Sequence, residues 1–184
     1  GAKIINLLGF LLAGITGFAG FVITSSYRKQ RILAFLDPFI DPQGFSYHIS
    51  QVLIALGSGG LFGLGIGGSR QKFAYIPEVT TDSIFSVVGE EMGFLGSIVL
   101  ISLLGLVVFR GLGIAEKASD DFGKLLAVGL TLWLGAQAAV NLAAMVSLIP
   151  LTGVPLPFIS YGGSALLANL VAVGILLNIS KQTD

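Results

Sequence analysis

The sequence predicts an all-α membrane protein, a polytopic helical bundle. Three observations carry this. Hydrophobic residues make up 54% of the chain and charged residues only 11%, whereas soluble domains carry about 25% charged residues. Four apolar runs are each long enough to span about 30 Å of hydrocarbon as helix. Glycine occurs 26 times, as close packing of membrane helices requires.

The same composition excludes other classes. Without cysteine there is no disulfide framework, thiol nucleophile or thiolate metal site. The net charge is zero and no basic run offers a footprint for nucleic acid. The chain is inside an apolar run by Ile4, with no charged n-region before it and no clear cleavage site after it. We therefore expect the C-terminal part of a longer membrane protein, with residues 1–184 forming part of one membrane domain.

The first span is expected at about 4–24, an uncharged stretch in which Gly14, Gly17 and Gly20 leave one face small enough for close helix contact. A large loop, 25–83, follows. Arg28, Lys29 and Arg31 sit at its membrane edge, where cations meet lipid phosphates. The Asp37-Pro38 and Asp41-Pro42 steps make the next segment turn-rich, because proline pushes its preceding residue out of the helical region. Tyr47 to Leu56 reads as a short helix: Ile49, Val52, Leu53 and Leu56 fall at i, i+3, i+4 and i+7. It is too short to span and is expected to lie at the interface or re-enter.

Gly57 to Ser69 is rich in glycine. Two readings stand. The backbone forms an anion-binding nest beside Arg70 and Lys72, or it is a tightly packed loop that needs positive φ. A dinucleotide fold is excluded, because no strand precedes the glycines.

Further spans are expected at about 84–109, 125–149 and 158–179, with a charged loop from Gly111 to Lys124 between the second and third. Four spans put both ends on one side. Charge does not orient them: Arg28, Lys29, Arg31, Arg70 and Lys72 lie on one side, and Lys3, Arg110, Lys117, Lys124 and Lys181 on the other.

Asp82 stands at the mouth of the second span. On a regular helix Ser86, Gly89, Glu90, Gly93, Gly96 and Ser97 all fall within about 80° of it, while Glu91 points away. A small, polar stripe therefore leads down from Asp82. Glu90 and Glu91 cannot share one narrow cavity, so at least one needs a structural partner such as a lysine or arginine. Gln137 and Asn141, one turn apart on the third span, are expected to bridge helices, as are Asn169 and Asn178 on the fourth. His48 reads as a hydrogen-bonding loop residue, since no second histidine exists to complete a metal site. The approach to the fourth span, Leu148 to Ser164, holds Pro150, Pro155 and Pro157 among apolar residues. Irregular backbone at membrane depth must be buried in protein or line a wet cavity, and this segment lies on the same side as Asp82.

The candidate site is thus Asp82 with Glu78, the cations Arg70 and Lys72, and a broken apolar wall that includes Ser160, Tyr161, Gly162, Gly163 and Ser164. A carboxylate flanked by cations suits transfer to a hydroxyl with a phosphate leaving group. Asp82 as a plain helix cap is the competing reading, because aspartate is a preferred cap.

Phe35-Leu36-Asp37-Pro38, Asp41-Pro42-Gln43-Gly44, Gly57-Ser58-Gly59-Gly60, Ser69-Arg70-Gln71-Lys72, Tyr75-Ile76-Pro77-Glu78, Thr81-Asp82, Gly89-Glu90-Glu91 and Pro155-Leu156-Pro157-Phe158-Ile159-Ser160-Tyr161-Gly162-Gly163-Ser164 occur in this order. Over nearly its whole length the chain resembles the C-terminal four spans of the ten-span FtsW/RodA/SpoVE (SEDS) family, and its wording is closer to the FtsW/SpoVE branch. The resemblance implies a peptidoglycan glycosyltransferase of the bacterial cytoplasmic membrane. It would polymerise lipid II on the outer face, with loop 25–83 outside and both ends inside. It implies Asp82 as the family's essential aspartate, a general base toward the acceptor hydroxyl, with undecaprenyl pyrophosphate leaving from the donor. Arg70 and Lys72 would offset the pyrophosphate charge. A divalent cation, Mg or Mn, would share that task, although no dense carboxylate cage is visible. The implied partners are a class B penicillin-binding protein transpeptidase, divisome proteins and membrane lipids. Two departures border the aspartate: Thr81 stands where many members have histidine, and Ser83 where many have phenylalanine. A lipid II flippase and a non-catalytic scaffold for the transpeptidase are the alternative functions.

Overall fold

The computed structural model describes residues 4–24, 26–37, 46–69 and 81–182. These residues form helices and irregular connections. In order, the helices are α1 (Ile4–Ile23), α2 (Ser26–Leu36), α3 (Tyr47–Ser58), α4 (Ile84–Lys117), α5 (Asp121–Met145) and α6 (Gly163–Ser180). The chain divides into two compact units, Gly1–Tyr47 and His48–Asp184.

In the first unit α1 occupies the first expected span, 20 residues with no charged side chain. The glycine face meets no neighbour among the described residues: a Cβ at Gly14, Gly17 or Gly20 would touch nothing within 4 Å. The sequence reading did not anticipate α2, whose charged Arg28, Lys29 and Arg31 drew attention to the membrane edge instead. It ends at Leu36, just before Asp37, the residue that Pro38 restrains from helical geometry.

In the second unit α4, α5 and α6 are each long and apolar enough to cross a membrane. Their ends correct four expected boundaries. The second span does not stop at Phe109 but runs to Lys117, so the loop expected from Gly111 to Lys124 shrinks to residues 118–120. The third span, α5, starts at Asp121 because Asp120 caps it, its side chain accepting from the Gly123 N–H at 3.0 Å, and it ends at Met145 rather than Ile149. The fourth begins at Gly163, leaving Phe158 to Gly162 in the irregular lead-in.

Small residues let α4 and α5 approach closely. A Cβ on Gly111 would collide with the Thr131 side chain, and one on Gly135 would sit 3.0 Å from Val108. Two apolar clusters hold the unit. Toward the Asp82 end, Val52 and Ala55 of α3, Phe85 and Leu104 of α4, Ala138, Ala144 and Met145 of α5, and Leu156 pack together. Toward the other end, Ala115, Ala127, Leu134, Ala172, Leu176 and Ile179 join α4, α5 and α6. Phe158 packs against both. Its backbone is left-handed, at φ 66°, a conformation costing an L-residue about 1–2 kcal/mol. Burying an aromatic ring at the junction offsets that strain.

Most of the small, polar stripe of α4 is buried: Ser86, Gly89, Glu90, Gly93 and Ser97 face inward, while Gly96 is half-buried. A straight helix does not carry it. At Gly93 the backbone turns to φ 68°, ψ −165°, and α4 breaks.

Candidate active site

Asp82 lies one residue before Ser83, the N-cap position of α4, and the Ser83 side chain makes no capping bond. The Asp82 carboxyl does not cap the helix either. Its Oδ1 is approached by the hydroxyls of Thr81 and Ser83, each at 3.4 Å. No hydrogen bond reaches Oδ2 among the described residues. That oxygen faces the Pro-rich lead-in, 3.9 Å from where a Cβ on Gly153 would stand. The residue is only 9% exposed. Of the two readings left open by the sequence, the cap is therefore not the one adopted.

Two amides of α5 fix the walls. Asn141 donates both hydrogens of Nδ2, one to the backbone carbonyl of Asp82 at 2.8 Å and one to that of Val154 at 2.7 Å. Gln137, one turn away, donates to the Pro155 carbonyl at 3.0 Å. The sequence placed these residues as links between helices. They instead link a helix to two irregular segments, supplying donors for carbonyls that have no ladder partner. His48, in the first turn of α3, sits 2.7 Å from the Ser83 hydroxyl through Nε2.

The glycine-rich stretch resolves into a packed loop. An unbroken helix would pair the Glu90 carbonyl with the Phe94 N–H, and the Glu91 carbonyl with the Leu95 N–H. The break at Gly93 frees all four groups. The loop takes each of them: Leu64 N–H donates to Glu90 O (2.9 Å), Gly65 N–H to Glu91 O (3.0 Å), Phe94 N–H to Gly60 O (2.9 Å) and Leu95 N–H to Leu61 O (3.2 Å). Two rungs of α4 thus run through another segment. Such contact needs bare backbone: a Cβ on Gly59 would strike the Gly89 carbonyl, and one on Gly63 that of Glu91. The N–H groups of Leu64 and Gly65 are spent on α4, so they are not donors for an anion nest.

The far end of the loop is tied to Glu90 and Glu91 of α4. The Ser69 hydroxyl donates to the Glu90 carboxylate, and the Ser69 N–H lies 3.4 Å from Glu91 Oε1. Glu90 is 1% exposed and Glu91 half-buried. Helical spacing separates the two in burial, yet these bonds of both end on Ser69.

Arg70, Lys72 and Glu78 lie outside the described residues. Ser160 is committed to the lead-in itself, its Oγ accepting from the Leu156 N–H at 2.7 Å. Tyr161 is exposed, Gly162 ends the lead-in and Gly163 and Ser164 open α6. No hydrogen bond joins any of these five to Asp82. Among the described residues no three His, Asp or Glu side chains gather as a metal ion would require, so the divalent cation has no ligand set there. Asn141 and Gln137 were visible in the sequence as a one-turn pair. Their loop partners were not, because no periodicity marks which irregular carbonyls need a donor.

Fold and site together define a class: a helical polytopic membrane protein with a buried, uncapped carboxylate at the mouth of a spanning helix. Comparison with known proteins supplies the particular family. The family model described as "Cell cycle protein", covering FtsW, RodA and SpoVE, matches residues 1–184, and the chain belongs to that family. It is 45% identical over 183 residues to stage V sporulation protein E of Bacillus subtilis strain 168, covering 100% of this chain and 50% of the relative. It is 47% identical over 182 residues to the probable peptidoglycan glycosyltransferase FtsW of Geobacter sp. strain M18, covering 99% of this chain and 50% of the relative. Among solved structures it is similar to a chain from a peptidoglycan synthase complex that coordinates polymerization and crosslinking. The TM-score is 0.70 at 32% identity, over 95% of this chain and 48% of that one. It is also similar to the rod shape determining protein RodA of Thermus thermophilus, with TM-score 0.54 and 38% identity over 71% of this chain and 39% of that one. The chain spans about half the length of the curated relatives it matches.

Proposed function

We propose that the chain is the catalytic half of a peptidoglycan glycosyltransferase that polymerises lipid II, with Asp82 as general base. One observation supports this above the rest: the Asp82 carboxyl is buried at the helix mouth and unspent as a cap, with Oδ2 facing the irregular wall at Gly153. A base must keep one oxygen available to the proton it takes. The relatives named as glycosyltransferases support the reaction class.

In this reading Asp82 Oδ2 takes the proton of the acceptor sugar hydroxyl as its oxygen attacks the anomeric carbon of the donor. The bond to the lipid pyrophosphate breaks with inversion, and the pyrophosphate departs with the bonding pair. Arg70 and Lys72 offset its charge; Glu78 and the Ser160–Ser164 segment contact substrate. A divalent cation would add to that neutralisation, and no step here depends on it. In this reading loop 25–83 is on the extracellular side and both ends are on the cytoplasmic side. The partner is a transpeptidase of the penicillin-binding class, a reading supported by the relative found in a polymerising and crosslinking complex.

The test is Asp82→Asn in the full-length protein, assayed with labelled lipid II in liposomes. Loss of glycan polymer with intact insertion and partner binding is expected, by about 10²-fold or more for removal of a general base. Full polymerisation by the variant would sink the assignment. The interrupted α4 favours a second reading, a lipid II flippase, because transporters build sites at broken helices. Here the polar groups freed at Gly93 are already paired with loop 60–65. A flippase would translocate labelled lipid II without forming polymer. A scaffold would tolerate Asp82→Asn.

A further inference from the structure

We infer that His48 is a positioning residue for the transfer reaction, acting through the Ser83 hydroxyl to turn the Asp82 carboxylate so that Oδ2 meets the acceptor. The inference rests on the proposed role of Asp82. Ser83 is fully buried, so its hydroxyl must find partners inside the protein. It has one proton and two candidate contacts, His48 Nε2 at 2.7 Å and Asp82 Oδ1 at 3.4 Å. An ionised carboxylate only accepts. The single arrangement satisfying both contacts has Ser83 donating to Asp82 Oδ1 and His48 Nε2–H donating to Ser83. This fixes the proton of the imidazole on Nε2.

The chain of contacts starts from a rigid base. Ile49, Val52 and Ala55 bury the inner face of α3, and Val52 and Ala55 share a cluster with Phe85, two residues beyond Ser83. The helix that carries His48 is therefore packed against the same wall that carries the aspartate. The 3.4 Å approach is long for a hydroxyl donor. It steers Oδ1 without binding it tightly, and Oδ2 stays open toward substrate. The Asn141 bond fixes the Asp82 backbone, leaving side-chain rotation as the freedom that Ser83, held by His48, restrains together with the Thr81 hydroxyl.

The experiment compares wild type, His48→Ala, His48→Gln, Ser83→Ala and the His48→Ala/Ser83→Ala double variant of the full-length protein, with Asp82→Asn as reference. Turnover and KM for lipid II are measured in liposomes. Loss of orientation should lower kcat about tenfold in His48→Ala with KM unchanged, since misalignment of a reacting group acts on the chemical step. Glutamine places its amide nitrogen near the position of Nε2, so His48→Gln should recover turnover to within about threefold. The double variant should be no slower than the slower single one, because both break one chain of contacts. Wild-type kcat in His48→Ala, failure of glutamine to rescue, or single effects that multiply would each overturn the inference while Asp82→Asn stays inactive. Full activity of Asp82→Asn would instead remove the general base itself, and this proposal with it.

Discussion

Asn141 donates to the backbone carbonyl of Asp82 at 2.8 Å while its other amide hydrogen holds Val154 at 2.7 Å. One side chain of α5 therefore sets the distance between the two irregular segments that form the site. Replacing it with leucine leaves two carbonyls without a donor, at a cost of about 1–3 kcal/mol each when buried. We expect Asn141→Leu to lower the thermal unfolding midpoint by several degrees and to reduce glycan polymerisation more than tenfold. Detergent-solubilised melting and the liposome assay read the two effects. Normal polymerisation by a destabilised Asn141→Leu protein would detach Asn141 from the site.

Gly93 and Gly63 should be intolerant of any side chain. Both have positive φ, and a Cβ on either would strike the backbone of the other segment. Alanine at either position combines backbone strain of about 1–2 kcal/mol with a clash that moves two rungs. We expect each variant to lose stability by at least about 2 kcal/mol. Gly105 is the control: it lies mid-helix on the exposed face with nothing near its absent Cβ. Gly105→Ala should be neutral or mildly stabilising. Equal melting temperatures for all three variants would refute the loop's part in completing α4.

Glu90 and Glu91 should differ sharply on substitution. Glu90 is buried and accepts from the Ser69 hydroxyl, so Glu90→Leu removes a buried acceptor and costs about 1–3 kcal/mol. Glu90→Gln keeps an acceptor and should be milder. Glu91 is half-buried and its bond to Ser69 N–H is long, so Glu91→Leu should cost less than about 1 kcal/mol. Ranking the three by melting temperature checks the order Glu90→Leu lowest, then Glu90→Gln, then Glu91→Leu.

Asp120 offers a test of a purely structural carboxylate. Its side chain caps α5 through Gly123 N–H. Asp120→Ala should cost about 1 kcal/mol and leave polymerisation unaffected, in contrast to Asp82→Asn. A loss of polymerisation beyond that explained by stability would place Asp120 in the reaction.

The sequence was legible where hydrophobic spacing runs unbroken. The inward stripe of α4 and the short α3 follow from it closely, and α5 does so with both ends earlier than the expected 125–149. Boundaries were less so. Arg110 and Lys117 suggested a loop, yet α4 carries them through its last turns, since spacing cannot tell a charged loop from a helix leaving the membrane. Phe158 and Ile159 looked like the first turn of a span, but Pro155 and Pro157 hold them outside the helix. At the site, the polar stripe and the place of Asp82 at its mouth were readable. The break at Gly93 was not: glycine fits a straight small-residue stripe as well as a kink, and only the facing loop decides between them. Ser83, noted as a departure beside the aspartate, is the residue that meets His48. That partnership joins positions 35 apart, beyond any local pattern.

The exchange of rungs between loop 60–65 and α4 also bears on how the chain enters a bilayer. Alone, the helix would carry two bare carbonyls and two bare amides across its break, an unfavourable passenger for hydrocarbon. The segment that satisfies them precedes it in the chain and so leaves the ribosome first. The stability of this span in hydrocarbon is therefore a property of the pair, helix and loop together.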